Sequence, residues 1–245
     1  MTYADVVSKL LAMVAKIKAL NPTYRQPGDG SDGTCDCIGL VIGAIRRMGL
    51  KWTGIHGTNW AARKEFVDLK KITDASQLEV GDVVLKAVEP GDKKWNLPSR
   101  YRNGGKYYNG DNRDYYHAGV VTKTNPLNIT HMSSKMTVDT KLGKWNYGGK
   151  LRILVNAAKG VTAPAPAPDT PTAGSAAVIT ALTGGTVNFR KAPSKKASLI
   201  KRIPIGTTVE IISPGEEWAS IKYGNTTGYM MAEFLDIVGD GKGKY

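Results

Sequence analysis

The chain has 245 residues, 41% of them hydrophobic, and a formal net charge of +13. That length can bury one large core or two smaller ones, and the apolar fraction is that of a folded rather than a disordered protein. No segment approaches the roughly eighteen consecutive apolar residues of a membrane span. Asp5, Lys9, Lys16 and Lys18 interrupt the apolar N-terminal stretch, so we expect neither a membrane span nor a signal peptide.

The positive charge and the cysteine content narrow the classes of partner and scaffold. A basic chain attracts polyanions, which include nucleic acid, anionic membranes and the acidic polymers of bacterial walls. The sequence has no zinc-finger, helix-turn-helix or Arg-rich helix signature, so we expect no nucleic-acid partner. The two cysteines, Cys35 and Cys37, are separated by one residue, and a disulfide between them would close too small a loop to stabilise a scaffold.

The N-terminal part of the chain predicts two helices. Thr2 and Asp5 form a capping-box pattern, and apolar residues then recur at helical spacing up to about Leu20. The polar, glycine-rich stretch 21–34 predicts a loop. A second helix is predicted over Cys37–Met48, and apolar residues cover nearly its whole surface. We therefore expect this helix in the centre of the domain.

From residue 80 onward the pattern changes to short β-branched runs bounded by turn residues. Two helices followed by such strands indicate an α+β fold with an antiparallel sheet. Between the first two strands lies a long insertion, 89–116, rich in aromatic and basic residues; so long a loop is usually functional or disordered. The predicted strands are Asp82–Val88, His117–Thr122, Leu127–Met132 and Leu151–Val155.

A proline-rich segment divides the chain into two predicted domains, 1–158 and 178–240. Residues 159–177 between them have the composition of a semi-rigid linker, with prolines at Pro164, Pro166, Pro168 and Pro171. In the second domain, five short β runs with turn residues between them predict a small all-β barrel. These runs are Val187–Arg190, Leu199–Ile203, Thr208–Ser213, Trp218–Tyr223 and Gly228–Met231.

Cys37 is the candidate nucleophile because it lies in the first turn of the second helix. The unpaired N–H groups and the helix dipole at that position favour an anion, which lowers the pKa of a thiol and makes the thiolate available for attack. The same N–H groups can receive the oxyanion that develops on an attacked carbonyl. The alternative is that Cys37 is a small core residue, which is the commoner role of a cysteine on an apolar helix.

Two of the three histidines are spaced to assist such a thiol. His117 opens one predicted strand and His131 lies near the end of the next, and a turn at Asn125-Pro126 would bring them together. His117 would then act as general base and acid, while His131 would fix its tautomer. His56 lies in a loop beside two glycines and has no such placement.

Four segments in this order resemble the motifs of the NlpC-type cell-wall endopeptidases, a papain-like family. D-C-I-G-L-V at 36–41 resembles the family's nucleophile signature D-C-S-G-L-V, and V-G-D-V-V at 80–84 resembles its G-D-L-V strand. H-A-G-V-V at 117–121 is similar to the H-V-G-I-Y strand that carries the catalytic histidine, and I-T-H-M-S at 129–133 to the I-H-A-S segment. The resemblance covers roughly residues 15–155. It implies a papain-like α+β catalytic domain.

By that resemblance the catalytic residues are Cys37, His117 and His131. It also implies that the Tyr24 hydroxyl assists the oxyanion and that Asp36 engages the substrate peptide near its free amine. Asp36 could equally be the N-cap of the helix, and Tyr24 could be a packed loop aromatic. The family's serine after the nucleophile is replaced by Ile38, the Gly-Gly pair after the tyrosine is absent, and Cys35 has no counterpart; it reads as a spectator or a redox-sensitive thiol.

The second domain resembles bacterial SH3-like domains. The similarity lies in V-N-F-R at 187–190, Pro193, I-G-T at 205–207, Trp218 and G-Y-M at 228–230. It implies a module that grips peptidoglycan or its decoration, with aromatic residues such as Trp218, Tyr223 and Tyr229 offering flat surfaces. The alternative for Trp218 is that it fills the barrel core.

Together these features predict a phage-lysin-like cysteine endopeptidase of peptidoglycan stem peptides, cutting the D-γ-glutamyl to diamino-acid bond. One alternative is an N-acetylmuramoyl-L-alanine amidase like the CHAP-type hydrolases, favoured by an insertion that could hold a sugar. Another is a non-catalytic wall-binding protein in which Cys35, Cys37, His117 and His131 hold zinc, although the C-x-C spacing is cramped for such a site. We expect a monomer without metal or cofactor, with peptidoglycan and anionic wall polymers as partners, made in the cytoplasm and released as phage lysins are.

Overall fold

The structure is a computed structural model in which residues 1–161, 173–181 and 185–238 are described. The chain divides into two compact units: Met1–Trp52 with Gly57–Pro164, and Thr53–His56 with Ala165–Tyr245. The four prolines of the expected linker lie outside the described residues. No helix in the described ranges is both long and apolar enough to cross a membrane.

The first unit contains both predicted helices. Helix α1 (Tyr3–Ala19) has the expected capping box, in which Thr2 and Asp5 each accept a hydrogen bond from the other's backbone N–H. Its apolar face packs on helix α2 (Cys37–Arg47), every residue of which from Cys37 to Ile45 is buried. The capping motif and the helical apolar periodicity are therefore confirmed, and α2 is central as its composition predicts.

Two further helices depart from the expectation. Helix α3 (Thr58–Lys64) was not predicted. The predicted strand Leu151–Val155 is wrong: Leu151 is the N-cap of helix α4 (Arg152–Ala158), which buries Ile153 and Leu154 and packs against α1. A short apolar run does not by itself distinguish a strand from one face of a helix, and here packing against α1 selects the helix.

The sheet of the first unit has six antiparallel strands in the order β3-β8-β4-β5-β6-β7, and α2 packs against β5 and β6. The strands predicted as β4, β5 and β6 are confirmed, whereas β3, β7 and β8 were not predicted. The expected order of two helices followed by a sheet fits only in part, because α3 precedes the first long strand and α4 follows the last. The strands of this sheet are β3 (Lys70–Lys71), β4 (Val83–Val88), β5 (Asp114–Thr124), β6 (Leu127–Met132), β7 (Met136–Asp139) and β8 (Tyr147–Gly149). A separate pair of strands, β1 (Thr23–Tyr24) and β2 (Thr34–Cys35), lies in the loop before α2.

The second unit is all-β in its described residues apart from one short 3-10 turn, Ala232–Phe234. Seven strands form one sheet in the order β11-β10-β14-β13-β12-β9-β15 around an apolar core that includes Phe189 and Ile221. All five predicted strands are present. β9 pairs with β12 from Ala176 onward, so the sheet begins inside the expected linker segment. The strands are β9 (Ala176–Ile179), β10 (Thr186–Arg190), β11 (Leu199–Pro204), β12 (Thr208–Ser213), β13 (Trp218–Tyr223), β14 (Thr226–Met231) and β15 (Leu235–Ile237).

Candidate active site

Cys37 is the first residue of α2, and Asp36 caps the helix. One carboxylate oxygen of Asp36 accepts a hydrogen bond from the Gly39 N–H at 2.8 Å, and the other accepts from the Gly28 N–H at 3.1 Å. The N-cap role of Asp36 is therefore observed. Asp36 is only 1% exposed and Cys37 3%. The same carboxylate thus fixes the start of α2 and holds the preceding loop to it.

The loop 21–34 lies directly on α2 because two glycines leave room for its backbone. A Cβ added at Gly39 would come within 1.7 Å of the Gly28 carbonyl oxygen, and one at Gly43 within 2.0 Å of the Asp29 carbonyl oxygen. Arg47, at the end of α2, donates hydrogen bonds to the carbonyls of Asp29 and Gly30. The predicted loop 21–34, called the strap below, therefore crosses the helix that carries Cys37 and is hydrogen-bonded to it.

This strap brings Tyr24 toward the start of α2. Strands β1 and β2 pair in parallel with Tyr24 beside Cys35, and the Tyr24 hydroxyl accepts a hydrogen bond from Gln26 at 3.1 Å. Partial burial of the hydroxyl, followed by electrostatic repulsion from the ionised forms of Cys37 and Asp36, raises the pKa of Tyr24 above its ordinary value. The phenol therefore keeps its proton near neutral pH and remains a hydrogen-bond donor in the neighbourhood of Cys37.

The two histidines meet as the hairpin predicts. Strands β5 and β6 pair with Val120 opposite Thr130, and Nε2 of His117 lies 2.9 Å from Nδ1 of His131. His131 is buried, whereas His117 is half-buried. With Nε2 of His117 engaged by His131, Nδ1 is the ring nitrogen left for a reacting group.

Both imidazoles are held neutral near neutral pH. Burial, then the charges of His131 and Lys86, lower the pKa of His117 to about 4. Burial also lowers the pKa of His131, with Lys86 adding to the effect and Asp139 opposing it. A neutral imidazole is the form that accepts a proton from a nucleophile.

A group of residues missed in the sequence lies behind His131. Nε2 of His131 is 3.4 Å from Oδ1 of Asp139, on the unpredicted strand β7, and Oδ2 of Asp139 accepts a hydrogen bond from Nε1 of Trp145 at 2.9 Å. Nζ of Lys86 lies 3.7 Å from the same Oδ2 and 4.2 Å from the centre of the Trp145 ring. His117 stacks on Trp145 with ring centres 5.3 Å apart.

Gly119 makes this packing possible. A Cβ at that position would lie 2.9 Å from the Trp145 ring and 3.2 Å from the His131 Cβ. Gly119 lies inside the strand segment 117–121, after His117 and before two valines that are buried in the structure. A glycine inside a strand often marks a close approach by another group, and it is the one sequence signal that could have indicated the missed cluster.

The remaining cysteine and histidine stand apart from this geometry. Cys35 is fully buried, its thiol donates to the Asp36 carbonyl at 3.3 Å, and burial raises its pKa. Neither Cys35 nor Cys37 forms a disulfide bond. His56 belongs to the second unit, where its backbone pairs with Gly215.

Among the described residues, the side chains named in the zinc alternative are not grouped as a metal site. Within the part of the chain that is described, no three or more His, Cys, Asp or Glu side chains are grouped to hold a metal ion. Cys35, Cys37, His117 and His131 therefore do not form a tetrahedral centre.

The insertion 89–116 is folded around α3 rather than open. Arg63 of α3 donates hydrogen bonds to the carbonyls of Asp111 and Arg113 and lies against the rings of Tyr101 and Tyr115 at 5.0 and 5.6 Å. Both tyrosines are buried, at 0% and 1% exposure. These two rings support the insertion and are not surfaces for a sugar.

In the second unit the aromatic residues separate by burial. Trp218 is buried at 6% exposure, so it is not the flat surface that its type suggested. Tyr223 and Tyr229 are half-buried, and Nζ of Lys201 lies 5.5 Å from the centre of the Tyr223 ring. The half-buried tyrosines remain available for contact.

Comparison with known proteins identifies the C-terminal module. Residues 184–236 match the bacterial SH3 domain family, and the described part of that range, 185–236, lies in the all-β region. The search of curated proteins finds no match.

Two solved structures are similar to the chain at low levels. One is the structure of NlpC2 from Trichomonas vaginalis, 11% identical over 71% of this chain and 48% of that one, with a TM-score of 0.23. The other is the crystal structure of Ly7917, 16% identical over 98% of this chain and 99% of that one, with a TM-score of 0.25. The chain thus spans about half the length of NlpC2. Likeness at this level carries no argument about function.

Proposed function

We propose that this protein is a cysteine endopeptidase of bacterial peptidoglycan, with a papain-like catalytic domain in residues 1–158 and a wall-binding SH3 domain in residues 178–240. The observation that carries the proposal is the direct contact between His117 and His131 on the two strands against which α2 packs. The charge of Asp36, the N-cap of the helix that begins with Cys37, also acts on the pKa of His117. A neutral imidazole pair near a cysteine at a helix start supports thiol acyl-transfer chemistry.

In the proposed reaction, Sγ of Cys37 attacks the carbonyl carbon of the scissile amide, and Nδ1 of His117 takes the thiol proton. The backbone N–H groups at the start of α2 and the Tyr24 hydroxyl stabilise the oxyanion. His117 then returns the proton to the leaving amine, which leaves a thioester on Cys37. Water, deprotonated by His117, hydrolyses that thioester and regenerates the thiol.

For Asp36 the proposal favours a positioning role over the substrate contact that the resemblance implies. Both of its carboxylate oxygens already accept backbone hydrogen bonds, and it is 1% exposed. We therefore propose that it acts mainly by positioning Cys37, and any contact with the substrate amine is secondary.

The partner class follows from the second unit and from charge. A bacterial SH3 domain supports attachment to the cell wall, and a net charge of +13 supports adhesion to anionic wall polymers. The bond proposed is the D-γ-glutamyl to diamino-acid amide of the stem peptide. The insertion favours the amidase slightly because it could hold a sugar, and burial of Tyr101 and Tyr115 removes those two rings from such a surface.

The test compares two cysteine variants that differ by one position. Purified peptidoglycan is incubated with the wild type, Cys37→Ala and Cys35→Ala, and the release of new amines is measured. We expect Cys37→Ala to lose about 10³-fold or more of the rate, as removal of a covalent nucleophile does, and Cys35→Ala to retain activity. Equal release by wild type and Cys37→Ala would overturn the proposal.

Mass spectrometry of the same digests tests the bond. Cleavage within the stem shortens the released peptides, whereas an amidase releases intact stems. Intact stems released by the wild type but not by Cys37→Ala would replace the endopeptidase with the amidase and keep the nucleophile.

A further inference from the structure

We propose that Asp139 is a positioning residue that sets which ring nitrogens of His131 and His117 carry protons. Its effect on turnover rests on the proposed function, but the protonation pattern itself does not. Asp139 lies outside all four motif segments of the sequence, on a strand that the sequence does not predict.

The register of the sheet places the three side chains in a row. On β7, Asp139 pairs with Ile129 and Thr137 pairs with His131, so Asp139 is the diagonal neighbour of His131 on the same face. His117 continues the row on β5, 2.9 Å from the far nitrogen of the His131 ring.

Within this row, Nε2 of His131 is the nitrogen that needs a hydrogen-bond acceptor. Nε2 of His131 is buried and has no hydrogen-bond partner of normal geometry among the described residues, and the oxygen it faces is Oδ1 of Asp139 at 3.4 Å. A buried ring nitrogen beside an acceptor-only carboxylate is favoured in its N–H form. The contact is long for a hydrogen bond, and it shortens when charge develops on the imidazole during the reaction.

The Asp139 carboxylate is held in place through its other oxygen, Oδ2. Oδ2 accepts the Trp145 indole N–H at 2.9 Å and lies 3.7 Å from Nζ of Lys86. Partial burial works to raise the pKa of Asp139, but the hydrogen bond from Trp145 and the charge of His131 outweigh it and hold that pKa below its usual range. Asp139 therefore stays an acceptor at neutral pH.

The protonation of both rings follows from that one acceptor. If Nε2 of His131 donates to Asp139, Nδ1 of His131 is unprotonated and accepts from Nε2–H of His117. Nδ1 of His117 is then unprotonated as well, which is the form that takes a proton from Cys37. Both neutral rings are therefore Nε2–H tautomers.

Substituting Asp139 by Asn separates this role from simple packing. The amide oxygen of Asn can still accept from Trp145, which directs the amide NH₂ toward Nε2 of His131. That nitrogen must then accept, so the proton moves to Nδ1 of His131, and His117 must accept at Nε2 and carry its own proton on Nδ1. Both rings reverse, and the nitrogen needed as a base is blocked.

The experiment reads tautomers directly by long-range ¹H–¹⁵N correlation NMR of the full chain in a Cys37→Ala background. That background keeps the Cys37 thiol from giving its proton to His117, and three histidines make assignment tractable. We expect Nε2–H for His117 and His131, reversal to Nδ1–H in both with Asp139→Asn, and no change with Thr137→Val, a nearly isosteric control on the same strand. Nδ1–H at His131 without the Asp139 change, or unchanged tautomers in Asp139→Asn, would overturn the proposal.

A kinetic arm separates this inference from the proposed function. With Cys37 present, Asp139→Asn should lower kcat about 10²-fold with KM within about twofold, because the base is held in the wrong tautomer. If the wild type cleaves no peptidoglycan, the proposed function fails while the NMR result still decides the role of Asp139. If Asp139→Asn reverses the tautomers and kcat is unchanged, His117 is not the base.

Discussion

The two units of this protein, called the first and second regions below, differ in how many polar side chains they bury. The first buries several of them, including Asp36, Asp114 and His131, and each is tied to a backbone or ring group. In the second unit the buried polar side chains among the described residues are His56 and Ser220. Its core is otherwise apolar, and its lysines stay near the surface.

Burying polar groups costs free energy unless they are hydrogen-bonded, so a region retains them where fixed geometry matters more than stability. This fits the proposal that the first region holds the chemical site. The second has that of a stable scaffold that presents charge. Substitutions should accordingly affect rate in the first and affinity in the second.

The largest expected effect is the loss of the base. His117→Ala should reduce the rate of amine release about 10²- to 10⁴-fold, the range of a general acid–base group, while binding to purified walls stays unchanged. The two readouts are a rate assay and a wall sedimentation assay. A variant that keeps more than about one-tenth of the wild-type rate would contradict the assignment.

The strap over α2 predicts the next largest effect, on stability. Gly39→Ala places a Cβ 1.7 Å from the Gly28 carbonyl oxygen and should destabilise the first region by about 3 kcal/mol, at the upper end of overpacking costs. Gly185→Ala is the matched control in the second region, because an added Cβ there meets nothing within 4 Å. Its effect should stay within about 0.5 kcal/mol. Equal shifts of the urea midpoint from the wild-type value in the two variants would show that the strap does not pack tightly on α2.

The pH dependence offers a smaller test on the same histidines. Burial, His131 and Lys86 lower the pKa of His117 to about 4, against the raising effects of Asp139 and Asp36. Since the neutral ring is the proposed base, kcat/KM should hold well below pH 6.5 and fall toward pH 4. Lys86→Met removes one cause of the lowered pKa, so the acid limb should move to higher pH. A limb that stays in place or moves down would contradict this electrostatic assignment.

The unfolding free energy should follow the same titration. An unfolded His117 binds its proton near pH 6.5, before the folded one does, so stability is lost as pH falls from about 6.5 toward 4. His117→Asn should flatten that part of the curve. Urea unfolding at several pH values measures both.

The smallest effect concerns the loop between β10 and β11. Replacing Lys195 and Lys196, which are exposed, by Gln should weaken wall binding roughly two- to five-fold at low salt, with little change at high salt and none in the rate on a soluble stem peptide. A loss that persists at high salt would point to specific recognition by these side chains.

The sequence was most informative where one local pattern determines one element. The apolar run after Cys37 predicts α2, and the spacing of His117 and His131 across a turn predicts their contact; both are observed. The short run at 151–155 has no such local determinant, because its helical state depends on packing against α1.

The residues missed are those that long-range packing brings together. Asp139 and Trp145 reach His131 only because β7 pairs with β6 and Gly119 leaves room beside them. The aromatic residues of the insertion are typical of a binding surface. In the structure, however, Tyr101 and Tyr115 are buried and pack against Arg63, which is 38 or more positions away in sequence. Neither arrangement leaves a periodic signal in the chain.

The reactivity of Cys37 toward iodoacetamide tests the central assignment most directly, since it needs no substrate. Mass spectrometry of tryptic peptides after brief alkylation at a series of pH values reports Cys37 and Cys35 separately. We expect Cys37 to react well below pH 8.5, the approximate pKa of an ordinary thiol, to lose that advantage in His117→Ala, and Cys35 to stay unmodified in the folded protein. Alkylation of Cys37 that begins only near pH 8.5, and is the same with and without His117, would contradict the account.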